Sequence, residues 1–203
     1  MVFNMLSMRV KVFLILIIIF FGVTKYWQHH MHYQDQLVAK NFQTMLFSMS
    51  INDVITAKTH GNELLKYSNR TPYPRLSALL LAKLSVIENN LDEAVSKLNL
   101  IVKQKKKDSI WHMANLRLAK VLLLQNKLSD AKNILENGMA QKEFSSQYHE
   151  LKGDLLFAEQ KLAEANKEYT ESLKELPQQV IAPWLDLKIT ETSIEDHSID
   201  NNI

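Results

Sequence analysis

The chain has 203 residues, 46% hydrophobic and 23% charged, which is enough for one folded domain with an appendage and too apolar for wholesale disorder. Four glycines and four prolines are few for the tight turns of a strand-rich fold, so long helices are predicted. The lack of cysteine excludes a disulfide scaffold, thiol catalysis and thiolate metal sites, and a net charge of +2 does not point to nucleic acid.

The first element in chain order is apolar. Val12 to Val23 read VFLILIIIFFGV without a polar break, about 18 Å of helix against a hydrocarbon core of about 30 Å. The flanks supply the rest. Met5, Leu6, Met8 and Val10 precede the run, Arg9 and Lys11 can snorkel to headgroups, and Lys25, Tyr26 and Trp27 suit the far interface. A span of roughly Met8 to Trp27 follows, anchored by Arg9, Lys11, Phe13, Phe20, Phe21, Tyr26 and Trp27. A cleaved signal peptide should end in small residues, whereas this run ends Gly22-Val23-Thr24-Lys25, so an uncleaved signal anchor is favoured over cleavage and over a buried soluble helix. Arg9 and Lys11 stand before the span with no opposing acid, which predicts a cytoplasmic N-terminus and a C-terminal domain across the membrane.

Beyond the span, apolar residues recur at helical spacing. A first helical pair is predicted over Gln34 to Ser50 and Asn52 to Tyr67, closed by the breaker Thr71-Pro72-Tyr73-Pro74. Three later stretches repeat one another: Leu91-Asp92-Glu93-Ala94, Leu128-Ser129-Asp130-Ala131 and Leu162-Ala163-Glu164-Ala165. Twelve residues before each alanine stands a small residue (Ala82, Ala119, Gly153), and four after it a large one (Leu98, Leu135, Tyr169). Small residues let antiparallel helices cross closely, and the large residue packs onto the next unit. The periods are 37 and 34 residues, and the acid inside each second helix suits its dipole. Pro177 to about Ile189 is expected to cap the stack, with a frayed polar tail from Glu191.

The small, small and large residues at these offsets resemble the tetratricopeptide repeat, with Pro177 where that family places its closing proline. The fold class expected is therefore all-α, a single transmembrane helix followed by an antiparallel helix-pair solenoid. The expected organisation is a short cytoplasmic segment 1–11, a signal anchor 12–27, a periplasmic repeat domain 28–190 and a polar tail 191–203. This architecture, with its Lys25-Tyr26-Trp27 exit, is similar to the YfgM family of bacterial inner-membrane proteins, ancillary to the SecYEG translocon. The chain departs from that family in its short, non-acidic N-terminal segment. The resemblance implies the translocon and periplasmic chaperones as partners beside membrane lipid, and a role in export or hand-over of secreted proteins. It also implies a concave partner-binding face of Leu76, Leu79, Lys83 and Val86, then Met113, Leu116, Lys120 and Leu123, then Gln147, Glu150, Asp154 and Phe157.

Signs of chemistry are weak. His29, His30 and His32, with Asp35 a turn on, form the one dense group of potential ligands, and an interfacial segment explains them as well as a metal does. The four lysines of Lys103 to Lys107 lack interleaved aromatics and fit a solvated helix end better than nucleic acid. No nucleophile elbow, phosphate loop or zinc-helix motif is present, and His60, His112, His149 and His197 show no carboxylate at a set spacing. The sequon Asn69-Arg70-Thr71 is given no role. The sequence thus predicts a binding protein without cofactor or catalysis, with a membrane-tethered scaffold for another envelope assembly, or a metal-handling or enzymatic protein using His29 to His32, as the alternatives.

Overall fold

The computed structural model describes residues 8–68, 70–138 and 142–200, with side chains placed from Val12 to Ser193. The described helices are α1 (Met8–Ser50), α2 (Val54–Leu64), α3 (Tyr73–Ile87), α4 (Leu91–Val102), α5 (Ser109–Leu124), α6 (Leu128–Glu136), α7 (Ser145–Ala158), α8 (Leu162–Lys174) and α9 (Pro183–Asp200). No strand occurs among the described residues. The helices group into two compact units, one ending at Pro74 and the other beginning at Arg75.

In the first unit, the apolar run and the first repeat helix are one element. α1 continues through Tyr26 and Trp27 to Ser50, 43 residues in all, or about 65 Å. Its beginning is long and apolar enough to cross a membrane. Every side chain from Val12 to Phe21 is exposed, with Phe20 at 66% and Phe21 at 62%. A segment apolar on all sides and uncovered by protein is compatible with a membrane span. The side chains of Arg9 and Lys11 lie outside the described residues, as does Asn69 of the sequon. The last turns of α1 bury Val38, Met45 and Ser48 as α2 folds back along them.

Each helical pair is closed by the same turn. Asn52, Asn89, Asn126 and Gln160 adopt left-handed backbone, with φ of 59°, 59°, 57° and 63°. The amide after each reaches back five residues: Asp53 N to Ser48 O and Asn90 N to Ser85 O at 2.8 Å, Lys127 N to Leu122 O and Lys161 N to Leu156 O at 2.9 Å. This is the Schellman closure, usually made with glycine. Asparagine tolerates the left-handed region better than other L residues, which explains how so glycine-poor a chain ends three of these helices in this way; the fourth uses Gln160. Asp53 and Asn90 then cap α2 and α4 through the Thr56 and Glu93 amides.

The repeated alanines sit at the crossings. Ala57, Ala94, Ala131 and Ala165 are all 0% exposed. Ala57 extends the period one unit upstream, 37 residues before Ala94, a match the three-stretch reading passes over. In that first pair the size pattern is reversed. The residue twelve before Ala57 is Met45 and the one four after is Gly61, both buried. In the last pair, a Cβ on Gly153 would run into the Tyr169 ring, so bulk on α8 occupies the space left by α7.

Within the second unit, successive first helices are tied by polar side chains. Arg75 of α3 grips Asp108, the N-cap of α5, through two 2.6 Å bonds. Between α5 and α7, the Tyr148 hydroxyl meets His112 Nδ1 at 3.0 Å and accepts from Asn115 Nδ2 at 3.2 Å. All three residues are buried, and burial pushes the Tyr148 hydroxyl up to about 12. Burial, reinforced by nearby Lys107, holds His112 below the ordinary histidine value.

The last helix differs from the expected cap. Pro177 begins a turn, accepting from Val180 N at 2.8 Å, and α9 starts at Pro183, where a fixed φ and a missing N–H suit the first helical position. It also runs past Glu191 to Asp200 instead of fraying there. Asn166 of α8 holds it across Glu191, with Nδ2 2.8 Å from the Ile189 carbonyl and 2.9 Å from the Thr192 and Ser193 hydroxyls, two of which its two hydrogens can serve at a time.

Candidate partner-binding site

The second unit holds a cleft of about 350 Å³ between α3, α4 and α5. Its walls are apolar: Ala82, Val86 and Ile87 from α3, Leu98 from α4, Val121 and Leu124 from α5. Ile87 is 69% exposed and Leu124 60%, and each stands two residues before a left-handed turn residue, Asn89 and Asn126. The repeat therefore places equivalent large apolar side chains side by side at the cleft edge. Uncovered leucine and isoleucine at a cleft are the usual mark of an interaction surface.

Charge at this cleft is of one sign. Lys83, Arg117 and Lys120 line it, all exposed, with no acidic residue among the lining side chains. Arg117 reaches the Leu79 carbonyl at 3.4 Å, while Lys83 and Lys120 have no ion-pair partner among the described residues. A second cleft, between α6, α7 and α8, is different. Lys132, Lys152 and Lys161 face Glu136, Glu159, Glu164 and Glu168 there, and Lys152–Glu168 and Lys161–Glu159 pair at 2.5 and 2.7 Å. It thus carries both signs of charge, four of them taken up in pairs.

The twelve positions expected on the concave face meet different fates. Lys83, Val86 and Lys120 line the basic cleft. Leu76, Met113, Leu116 and Leu123 are half-buried. Leu79, at 4% exposed, belongs to the core and is corrected from surface to packing residue. On α7, Gln147 is exposed, but Lys188 of α9 binds Glu150 at 2.8 Å and Asp154 at 2.6 Å. Phe157 packs beside the cluster of Leu156, Ala165, Tyr169, Ala182 and Leu185. The acidic end of the expected trough is thus engaged by the chain's own last helix. Burial opposes the Lys188 charge, yet the Asp154 and Glu150 carboxylates prevail and raise its pKa.

The scattered histidines are also placed. His149 has the carboxylate partner that spacing did not reveal: Glu168, nineteen residues on, at 2.7 Å. Burial would raise Glu168, but its bonds to Lys152 and His149 hold it below the ordinary value. In the first unit His30 stacks on Tyr26, while His32 borders a cleft with Trp27, Gln28, Met31, Asp35 and Arg70. Asp35 is taken by Arg70 at 2.7 Å, and no group of three or more potential metal ligands converges among the described residues. Of the lysine run, Lys106 pairs with Asp108 at 3.1 Å and Lys107 lies over the Trp111 ring at 5.0 Å.

Compared with known proteins, the model of the tetratricopeptide repeat-like domain family matches residues 5–193. No curated protein matches the sequence.

Proposed function

Because the chain belongs to the tetratricopeptide repeat-like family, we propose that it is a membrane-anchored docking protein whose repeats hold a segment of another protein. The cleft of α3, α4 and α5 carries this reading, since exposed Ile87 and Leu124 sit beside Lys83 and Lys120, which have no ion-pair partner among the described residues. Charge complementarity assigns the occupant: a partner segment with a large apolar side chain flanked by carboxylates. Apolar burial supplies the affinity, at about 25 cal/mol per Å², and the lysines fix direction and register. Mechanism here is binding without turnover.

The anchor is the start of α1, inserted from roughly Met8 to Trp27. With Arg9 and Lys11 before it and Asp35 after it, the positive-inside rule favours a cytoplasmic N-terminus and a periplasmic repeat domain in a bacterial inner membrane. The similarity in architecture to the YfgM family supports a place beside the SecYEG translocon, assisting export or hand-over of secreted proteins with periplasmic chaperones.

The test is gentle detergent purification of the tagged full-length protein, alongside a version with an unrelated span, and identification of co-purifying proteins by mass spectrometry. Recovery of translocon subunits with the native span supports the export role, and their loss on the swap places the contact in the membrane. Recovery of a different envelope complex instead would replace that role by a tethered scaffold.

A further inference from the structure

The first unit carries a second surface. α1 leads away from its apolar segment to Ser50, the turn at Asn52 reverses the chain, and α2 returns antiparallel from Val54 to Leu64. The residues after α2 therefore point back toward the apolar end of α1. Arg70 shows where they arrive. Its guanidinium donates to Asp35 at 2.7 Å and to the Met31 carbonyl at 3.3 Å, and it shares a cleft with Trp27, Gln28 and His32.

Height along α1 gives this clasp its meaning. If Trp27 marks the interface, Met31 lies roughly 6 Å and Asp35 roughly 12 Å beyond it at 1.5 Å per residue. The headgroup layer of one leaflet is about 5–7 Å thick. Met31 thus falls at the outer edge of that layer and Asp35 beyond it, so the loop bonded to both lies over the outer face of the headgroups. Its composition suits that place: exposed Lys66, half-buried Tyr67, exposed Ser68 and exposed Arg70, with Lys25 and Trp27 on the adjoining helix. Arginine has five N–H donors, so the bonds to Asp35 and Met31 leave others for a phosphate oxygen.

We propose that the loop following α2, clasped to α1 through Arg70, rests on the outer face of the phospholipid headgroup layer, so that the first repeat is seated on the membrane surface. The ligand is the phosphate of the lipid headgroup, met by Arg70 from the loop and Lys25 from α1, while Lys66 is engaged by Glu63 at 2.6 Å. The inference rests on the anchor reading and adds to it the height and contact of the first repeat. Because α1 has no break between Trp27 and Ser50, that height is set by the helix itself and not by a linker.

The absence of cysteine permits a clean test on the full chain. Nitroxide is attached at Ser68→Cys or, separately, at Ile51→Cys, the latter 24 residues beyond Trp27 and roughly 36 Å higher on the same scale. Each protein is reconstituted into nanodiscs of phosphatidylglycerol and phosphatidylethanolamine containing a gadolinium-chelating lipid. Vesicle flotation and resistance to alkaline extraction report insertion separately. The expected result is strong relaxation enhancement at position 68, little at 51, and a severalfold loss at 68 on Arg70→Ala with flotation unchanged. Equal, weak enhancement at both positions in an inserted protein overturns the seating and leaves the anchor intact. Failure to float overturns the anchor itself, and the seating with it.

Discussion

Arg75 and Asp108 are joined by two parallel bonds of 2.6 Å, and the same carboxylate caps α5 by accepting from the Trp111 amide at 3.1 Å. Arg75 is 4% exposed, so its charge depends on that single partner. Removing Asp108 leaves the Arg75 guanidinium buried and uncompensated, at a cost of about 3 kcal/mol, whereas removing Arg75 leaves a carboxylate that is 28% exposed and still paired with Lys106. In urea melts of the full-length protein in detergent, Asp108→Ala should lower the unfolding free energy by that amount and Arg75→Ala by less. Combined, they should cost clearly less than the sum.

The same pair sets an acid limit. The Arg75 guanidinium holds the Asp108 carboxyl well below the usual range. A group lowered by folding stabilises above its unfolded pKa of about 3.9 and loses that contribution as pH falls through its folded value. Wild type should therefore lose stability steeply below about pH 4, and Arg75→Ala should show a shallower acid limb. Denaturant melts at neutral and acid pH decide it, and identical slopes would remove the pair from the account.

Gly153 offers a packing test. An added Cβ would meet the Tyr169 ring, so Gly153→Ala should cost about 1–3 kcal/mol. Gly22, with nothing within 4 Å, should accept alanine without a change in melting temperature. Replacing Tyr169 by leucine in the Gly153→Ala background should recover part of the loss. Additive losses would show that the two side chains do not share the space.

Gln160 is the exception among the left-handed turn residues, since the other three are asparagine. Glutamine lacks asparagine's ease in this region, so Gln160→Gly should raise stability by about 1 kcal/mol. Asn126→Gly should gain less, and a loss at Gln160→Gly in thermal melts would contradict the turn analysis.

Much of this arrangement was legible in sequence, for a physical reason. Ala94, Ala131 and Ala165 mark helix crossings because only a small side chain admits a second helix at that distance, and the acid before each serves the dipole. The first pair was harder to read because Met45 and Gly61 exchange the usual sizes, leaving only Ala57 in register. Contacts that depend on how helices lie across one another left no spacing to read. His149 finds Glu168 only once α8 folds along α7, and Lys188 finds Glu150 and Asp154 only once α9 docks. The hold on α9 around Glu191 likewise comes from Asn166, a residue twenty-three positions before the carbonyl it meets.

Lys83 and Lys120 are exposed, so reversing their charge should leave the melting temperature unchanged while weakening an acidic, apolar ligand. With a fluorescein-labelled peptide carrying paired leucines flanked by glutamates, Lys83→Glu combined with Lys120→Glu should weaken binding at least about tenfold, or about 1.4 kcal/mol. Added salt should weaken wild-type binding in the same direction. Binding indifferent to both would exclude the charge-guided mode.

The central claim is that the cleft of α3, α4 and α5 holds a partner protein while the chain sits in a membrane. Its most direct test is in-cell photo-crosslinking from a benzophenone residue at Ile87 or Leu124, compared with Ile181, which is 84% exposed on the α8–α9 connection. The account predicts a shared adduct with another polypeptide from both cleft positions, none from Ile181, and loss of the adduct when Lys83 and Lys120 are changed to glutamate. Adducts equally strong from Ile181, or untouched by the charge reversal, would contradict it.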